Sequence, residues 1–180
     1  MDATIRTERL LLRSMTPDDA DFVFDLFSRP EVARWSGSGE PMTERGQAVA
    51  RIEAQPARAG DHPACGVFGI AVDDALVGIA MLVPLPSSGG GAREDVEIGW
   101  HLHPDAWGHG YATEAGHAVV DRGFSAGFEE LYAVTDPVNE RSQAVCRRLG
   151  MTDLGLRDDW YDTTTRAFVL AAASRPGRDQ

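Results

Sequence analysis

Two rhythms of apolar residues run through this chain, one of period two and one near three and a half, and their alternation predicts most of the elements. Residues 5–15, rich in leucine with Arg9 and Arg13 alongside, read as a first strand. Thr16-Pro17-Asp18-Asp19 then starts a helix, with Thr16 as N-cap, Pro17 in the first turn and acids next to the dipole. Ala20, Val23, Phe24 and Phe27 recur at helical spacing, and Pro30 ends the run. Residues 32–39 read as a loop or short turn carrying Trp35. Thr43-Glu44 opens a second helix reaching about Gln55, and residues 56–63 read as a linker. Two apolar runs, 67–72 and 76–83, flank Asp73-Asp74 and predict a hairpin. Residues 84–91, with Ser87-Ser88-Gly89-Gly90-Gly91, predict a flexible loop.

In the second half, residues 96–102 predict a strand that places Glu97 and His101 on one face and Val96, Ile98 and Trp100 on the other. A helix over residues 110–126 presents Ala115, Val119, Val120 and Phe124 as its apolar stripe. Residues 131–135 form the next strand, closed by Pro137. Asn139 or its neighbour caps a helix that ends at Gly150. Residues 152–157 and 166–173 predict a last pair of strands around residues 158–164, and residues 174–180 a frayed polar tail. Strands and helices alternate without segregating, so the fold class is α/β, a mixed sheet with helices on both faces.

The connection between the strand at 96–102 and the helix after it carries the chemistry. Gly108 and Gly110 permit a tight turn and close approach of another molecule. The helix that follows offers free N–H groups and the positive end of its dipole. The combination predicts an anion site suited to a phosphate or pyrophosphate. No Lys follows the turn, which excludes a Walker loop. In a dinucleotide fingerprint the strand runs almost directly into the first glycine, whereas here residues 103–107 intervene, and Thr113 stands where the third glycine belongs.

The stretch Trp107-Gly108-His109-Gly110-Tyr111-Ala112-Thr113-Glu114-Ala115 resembles the acyl-CoA pyrophosphate loop of the GNAT superfamily of N-acetyltransferases, most closely its RimJ/RimL-like branch of ribosomal-protein alanine N-acetyltransferases. Gly110 and Ala112 match the general pattern, and Trp107 occupies a position where Gln or Arg is usual. Two further stretches agree, residues 7–13 (Thr-Glu-Arg-Leu-Leu-Leu-Arg) and residues 139–151 from Asn139 and Ser142 to Gly150. The resemblance implies one acyltransferase domain over residues 1–173. It also implies a mostly antiparallel central sheet in which the strands at 96–102 and 131–135 splay apart like a V, and acetyl-CoA as co-substrate with its pantetheine arm in that opening.

On this reading the pyrophosphate is held by main-chain N–H groups from His109 through Tyr111 and Ala112 to Thr113, with Trp107, Gly108 and Gly110 shaping the turn. The arm pairs with the main chain of Trp100, His101 and Leu102. Asn139 and Ser142 admit two readings, a plain helix cap and first turn, or, as the branch implies, an arm contact from Asn139 and a hydrogen bond from Ser142 to the sulfur. Arg148 either meets a CoA phosphate or is an ordinary exposed helix arginine. Glu97 is a candidate proton acceptor with His101 assisting near neutral pH, and a salt bridge for Glu97 is the alternative. Asp158, Asp159 and Tyr161 fall where the branch places acceptor contacts. Trp35 and Trp160 admit two readings, ordinary core or the floor of an acceptor pocket, and the loop at 84–91 is expected to be mobile and to border that side. The branch's glutamate base has no clear counterpart near residues 158–161.

Composition narrows the partners. The chain has 180 residues and a formal net charge of −11, which argues against a nucleic-acid partner and favours a cationic acceptor such as an amine. It contains no apolar run near the ~20 residues of a membrane span, so a cytoplasmic protein is expected. Cys65 and Cys146 have no zinc-like spacing and predict free thiols, with no metal site. A relay through Cys146 is disfavoured, because four positions past Ser142 it faces the packed side of the same helix. The acceptor follows as a protein N-terminus or a small-molecule amine. Transfer of a bulkier acyl group, a non-catalytic CoA sensor and a homodimer stay open.

Overall fold

The computed structural model describes residues 4–37, 39–91 and 94–174. Its centre is an eight-stranded sheet in the order β1-β2-β3-β4-β5-β6-β8-β7. The predicted first strand is in fact two, β1 (Ile5–Arg6) and β2 (Leu11–Ser14), paired antiparallel with Ile5 opposite Leu12. The break is a turn in which the Thr7 N–H donates to the Leu10 carbonyl at 3.0 Å, closing a hairpin at the polar stretch Thr7-Glu8-Arg9. A short 3₁₀ turn, Pro17–Asp19, leads into α1 (Ala20–Ser28). Asp19 fixes this start by accepting the Thr16 N–H at 2.8 Å and pairing with Arg13 at 2.8 Å.

A single helical turn, α2 (Pro30–Ala33), follows α1 directly, with proline in its first turn. Next come α3 (Arg45–Glu53) and α4 (Gln55–Ala59). The linker expected at 56–63 is therefore helical in its first part. Pro56 sits in the first turn of α4, where its missing N–H has no intrahelical partner to lose.

Strands β3 (Gly66–Val72) and β4 (Ala75–Pro84) form the predicted hairpin, and Asp73 and Asp74 both adopt positive φ, as a two-residue mirror-image turn requires. Strand β5 (Val96–Leu102) pairs antiparallel with β4 along its whole length. Helix α5 (Tyr111–Ser125), strand β6 (Glu130–Thr135), helix α6 (Glu140–Arg148) and the antiparallel pair β7 (Thr152–Arg157) and β8 (Thr165–Ala171) complete the chain. Ser174 lies in a closing 3₁₀ turn, and the rest of the expected tail, residues 175–180, lies outside the described residues.

Side-chain alternation in β5 sends its two faces into different layers. Ile98 and Leu102 pack with Ala115, Val119, Leu131 and Cys146 beneath α5 and α6. On the opposite face, Val23, Leu26 and Phe27 of α1 join Ile52 of α3 and Ile79 of β4. Each large apolar side chain buried this way contributes about 1.5–3 kcal/mol. The sheet is therefore covered on both sides, and β5 lies between the layers near its middle.

Candidate active site

Strands β5 and β6 are parallel neighbours, yet among the described residues they share one register pair, Glu97 with Tyr132. Beyond it the edge of β5 from residue 98 to 102 that faces β6 has no ladder partner, so the two strands diverge toward their C-terminal ends. This is the V-shaped splay expected from the sequence, and it leaves the backbone donors and acceptors of Trp100 and Leu102 facing the gap, open to an incoming chain-like ligand. The main chain of His101, expected to join them, alternates to the other edge and pairs with Ile79 of β4. The Leu102 carbonyl is partly committed, because the Trp107 indole N–H donates to it at 2.9 Å.

That indole bond folds the following loop back over the end of β5. A 3₁₀ turn, Pro104–Ala106, precedes Trp107, and Gly108 and Gly110 both have φ +80, a conformation costly for any side chain. A Cβ at Gly108 would meet nothing within 4 Å, so the space beside it is open. Gly110 is the N-cap of α5 and supplies no side-chain cap. The N–H groups of Tyr111, Ala112 and Thr113 find no acceptor among the described residues. A cradle of free amides at the positive end of a 15-residue helix fits a pyrophosphate. Arg148 shares a hollow of about 670 Å³ with Gly110, Thr113 and His117, which brings this arginine to the side of the same helix start.

The loop is braced by the N-terminal segment. Thr7 Oγ1 donates to Glu114 at 2.5 Å, Arg9 pairs with Glu114 at 2.7 Å, and Arg9 Nη1 donates to the His109 carbonyl at 3.0 Å. His109 stacks on Tyr111, whose ring also carries the Arg9 guanidinium. From the other side the Arg141 guanidinium lies 4.4 Å over the Trp107 ring and draws the start of α6 to the loop. There Asn139 Oδ1 accepts the Ser142 N–H at 3.2 Å, so Asn139 is a genuine helix cap. The hydroxyl of half-buried Ser142 bonds to no described residue. The three stretches that carried the family resemblance thus meet around one loop.

Glu97 stands at the closed end of the splay. It is 4% exposed, and its Oε2 accepts the Tyr161 hydroxyl at 2.5 Å and faces Arg58 Nη2 at 3.5 Å. Burial pushes its carboxyl up to about 7, against the opposing pull of the Tyr161 hydrogen bond and the Arg58 charge. Arg58 in turn donates to the Tyr161 oxygen at 2.8 Å. The sequence alternatives of base and salt bridge therefore converge in one residue, a buried carboxyl poised near neutrality with a guanidinium 3.5 Å away.

His101 lies on the same strand face, edge-on to Phe27 with centroids 5.3 Å apart. The ring keeps some contact with the cleft, but its dense surroundings and the charges of Arg51 and Arg58 push its pKa down to about 3. It is neutral across the physiological range, which corrects the expectation of a histidine titrating near pH 7.

The expected acceptor residues divide. Tyr161 reaches the site through Glu97. Trp160 is fully buried, donates its indole N–H to Asp95 at 2.9 Å and packs on Tyr132, so its face is closed to any ligand. Alternation along this turn sends residue 161 toward Glu97 and residue 160 into the core. Asp159 accepts from Arg157 at 2.6 Å. Trp35 stacks under Arg34 at 4.3 Å, one residue from Ser36, which accepts from Arg51. The loop after β4 is anchored rather than loose. Ser88 N–H donates to the Asp159 carbonyl at 2.7 Å, Tyr161 N–H to the Pro86 carbonyl at 3.1 Å, and Gly89 N–H to Asp162 at 2.7 Å. Arg51 and Arg58 were not foreseen, since two arginines on short polar helices carry no signal beyond surface charge.

The family model described as an acetyltransferase (GNAT) domain matches residues 9–152. The chain belongs to the GNAT acetyltransferase family. It is accordingly an N-acetyltransferase, and acetyl-CoA is the acyl donor the family uses. A relative, the uncharacterized N-acetyltransferase YoaA of Bacillus subtilis, is 33% identical over 175 residues, covering 92% of this chain and 96% of its own. Among solved structures, Mycobacterium smegmatis RimJ in complex with CoA-disulfide superposes with a TM-score of 0.76 at 21% identity, covering 98% of this chain and 89% of that one. RimL, a ribosomal L7/L12 α-N-protein acetyltransferase in complex with coenzyme A, superposes with a TM-score of 0.77 at 14% identity, covering 94% and 98%. These two share the GNAT fold with this chain. No described helix is long and apolar enough to cross a membrane.

Proposed function

We propose that this enzyme transfers the acetyl group of acetyl-CoA by direct attack of a primary amine, either a protein N-terminal α-amine in the manner of the RimJ/RimL-like branch or a small-molecule amine. The observation that carries the reading is the single β5–β6 register pair with Glu97 at its closed end and, at its open end, the free amides of Tyr111 to Thr113 that follow the Gly108–Gly110 turn. Acetyl-CoA supplies the activated thioester. The amine nitrogen forms a bond to the carbonyl carbon as the carbon–sulfur bond breaks. Glu97 takes the proton the nitrogen loses, directly or through water, and the Ser142 hydroxyl stabilises the departing thiolate by a hydrogen bond. Tyr161 and Arg58 hold Glu97 in place. His101, neutral, positions the acceptor by shape and polarity, and Asn139 and Arg148 hold the arm and a phosphate.

Direct attack is favoured over a covalent relay because Cys146 is fully buried and burial pushes its thiol up to about 12, leaving no thiolate at neutral pH. The test is thiol release from acetyl-CoA with a panel of peptide N-termini and small amines, beside calorimetry with CoA. Release with at least one acceptor supports transfer. Tight CoA binding with no release for any amine would favour the sensor.

A further inference from the structure

On the acceptor side two guanidiniums, those of Arg51 and Arg58, have one carboxylate partner between them among the described residues. Arg51 stacks on Phe27, with its guanidinium carbon 4.0 Å from the ring centroid, and its one hydrogen bond to a described residue is to Ser36 at 3.3 Å. It forms no ion pair with any described residue. Phe27 in turn touches His101, so Arg51 stands beside the strand face that bears Glu97. Arg58 reaches the same face from the next helix, and its carboxylate neighbour Glu97 is shared with Tyr161. The Arg51 side chain is open to solvent, yet the packed atoms around its guanidinium and the neighbouring Arg58 charge push it down to about 10.

A chain with a formal net charge of −11 has acids to spare for surface arginines, as Arg9, Arg13, Arg29 and Arg45 all demonstrate. Arg51 is held on an aromatic ring without one. A guanidinium anchored on a ring keeps its fork of donors fixed, and with its face open to solvent the fork is accessible to a planar oxyanion. A bare alkylammonium would be repelled here, whereas an acceptor carrying its own acidic group would be drawn in, and the surrounding cations would then help its amine lose a proton.

We propose that the acceptor is an acidic amine, a primary amine carrying a carboxylate or phosphate a few bonds away, whose anionic group is received by Arg51 with Arg58 beside it. The inference rests on the N-acetyltransfer reading and adds the chemical class of the acceptor. Because the anion is recognised by Arg51 and the thioester by the loop at 107–113, the two can be separated by experiment.

Matched acceptors provide the test. β-Alanine and O-phosphoethanolamine are compared with β-alaninamide and ethanolamine, and a short peptide amide beginning with aspartate is compared with its asparagine twin, by thiol release in the wild type, R51Q and R51K. Binding of the same probes to the CoA-saturated protein is followed by calorimetry. In the wild type the acidic member of at least one pair should be preferred ~10-fold or more, the size of one charge-assisted bond. R51Q should bring that ratio close to one, R51K should restore part of it, and all three proteins should bind CoA alike. Which pairs discriminate separates a free acidic metabolite from a protein N-terminus, and a carboxylate from a phosphate. Equal handling of both members of every pair, or a preference that survives in R51Q, would overturn the inference while leaving acetyl transfer intact. Arg51-dependent binding of the acidic probes without thiol release would support the anion site and count against the transfer reading.

Discussion

Arg9 and Glu114 lie 105 residues apart in the chain and meet in a two-point contact, Nε to Oε2 at 2.7 Å and Nη2 to Oε2 at 2.7 Å. Thr7 adds its hydroxyl to the same carboxylate, and Arg9 also reaches the His109 carbonyl. The N-terminal segment thereby holds the turn whose amides face the cofactor side. A half-exposed ion pair alone is worth at most about 1 kcal/mol, but here it works together with hydrogen bonds to the loop itself.

E114A should therefore weaken CoA binding about 5- to 10-fold, the equivalent of about 1–1.4 kcal/mol, while lowering Tm only slightly. Calorimetry with CoA and a thermal melt check the two halves separately. A depressed Tm with unchanged CoA affinity would reduce the brace to a purely structural role.

The position of Glu97 sets a pH dependence for turnover. Its carboxyl is held near 7 and must be ionised to accept a proton, so kcat/KM should rise with pH through about 7. Tyr161 lowers that value through its hydrogen bond, so Y161F should move the rising limb to higher pH. E97Q should remove the limb and cost about 10²–10⁴-fold in kcat. An unchanged profile in E97Q would assign the limb to the acceptor amine instead.

The same carboxyl makes stability depend on pH in the opposite sense to a surface acid. Its folded pKa of about 7 lies above its ordinary 4.5, so the folded state holds the proton more tightly. That contribution is fully present below pH 4.5 and is lost as pH rises through 7. It amounts to on the order of 3 kcal/mol. His101 acts the other way, since its value is lowered from 6.5 to about 3, and its contribution is lost as pH falls from 6.5 toward 3. Between pH 4.5 and 6.5 the two oppose each other. Denaturant titrations should thus show E97Q gaining on the wild type by on the order of 3 kcal/mol between pH 5 and pH 8.

Cys146 offers a sharper test of mechanism. C146A should retain full turnover, with a stability loss of about 1 kcal/mol for the small cavity beneath α6. Mass spectrometry during turnover should find no acylated cysteine, and an acyl-enzyme at Cys146 would refute direct attack.

Much of this arrangement was legible in the sequence where local chemistry dictates local shape. Asp73-Asp74, Gly108 and Gly110, and Asn139 each specify a backbone conformation or a cap whatever surrounds them, and each appears as expected. The strand at 96–102 stood out because its alternation is regular. The split of the first strand was hidden, since Thr7 to Leu10 contains no Gly, Pro, Asn or Asp to mark a turn. The helix α4 was hidden behind Pro56, which marks a break in most contexts and a first turn here. The roles of Arg51, Arg58 and Trp160 depend on contacts such as that of Tyr161 with Glu97, across 64 residues, and no window of sequence contains them.

With a single rung between its two middle strands, the sheet has no continuous backbone ladder across its centre, and the breadth of that gap is governed by the hydrocarbon layers above and below. An extended amide-bearing arm lying there would finish the ladder. Occupancy should then be felt as mechanical reinforcement, with the amides of residues 98, 100 and 102 exchanging hydrogen far more slowly once the gap is filled than before.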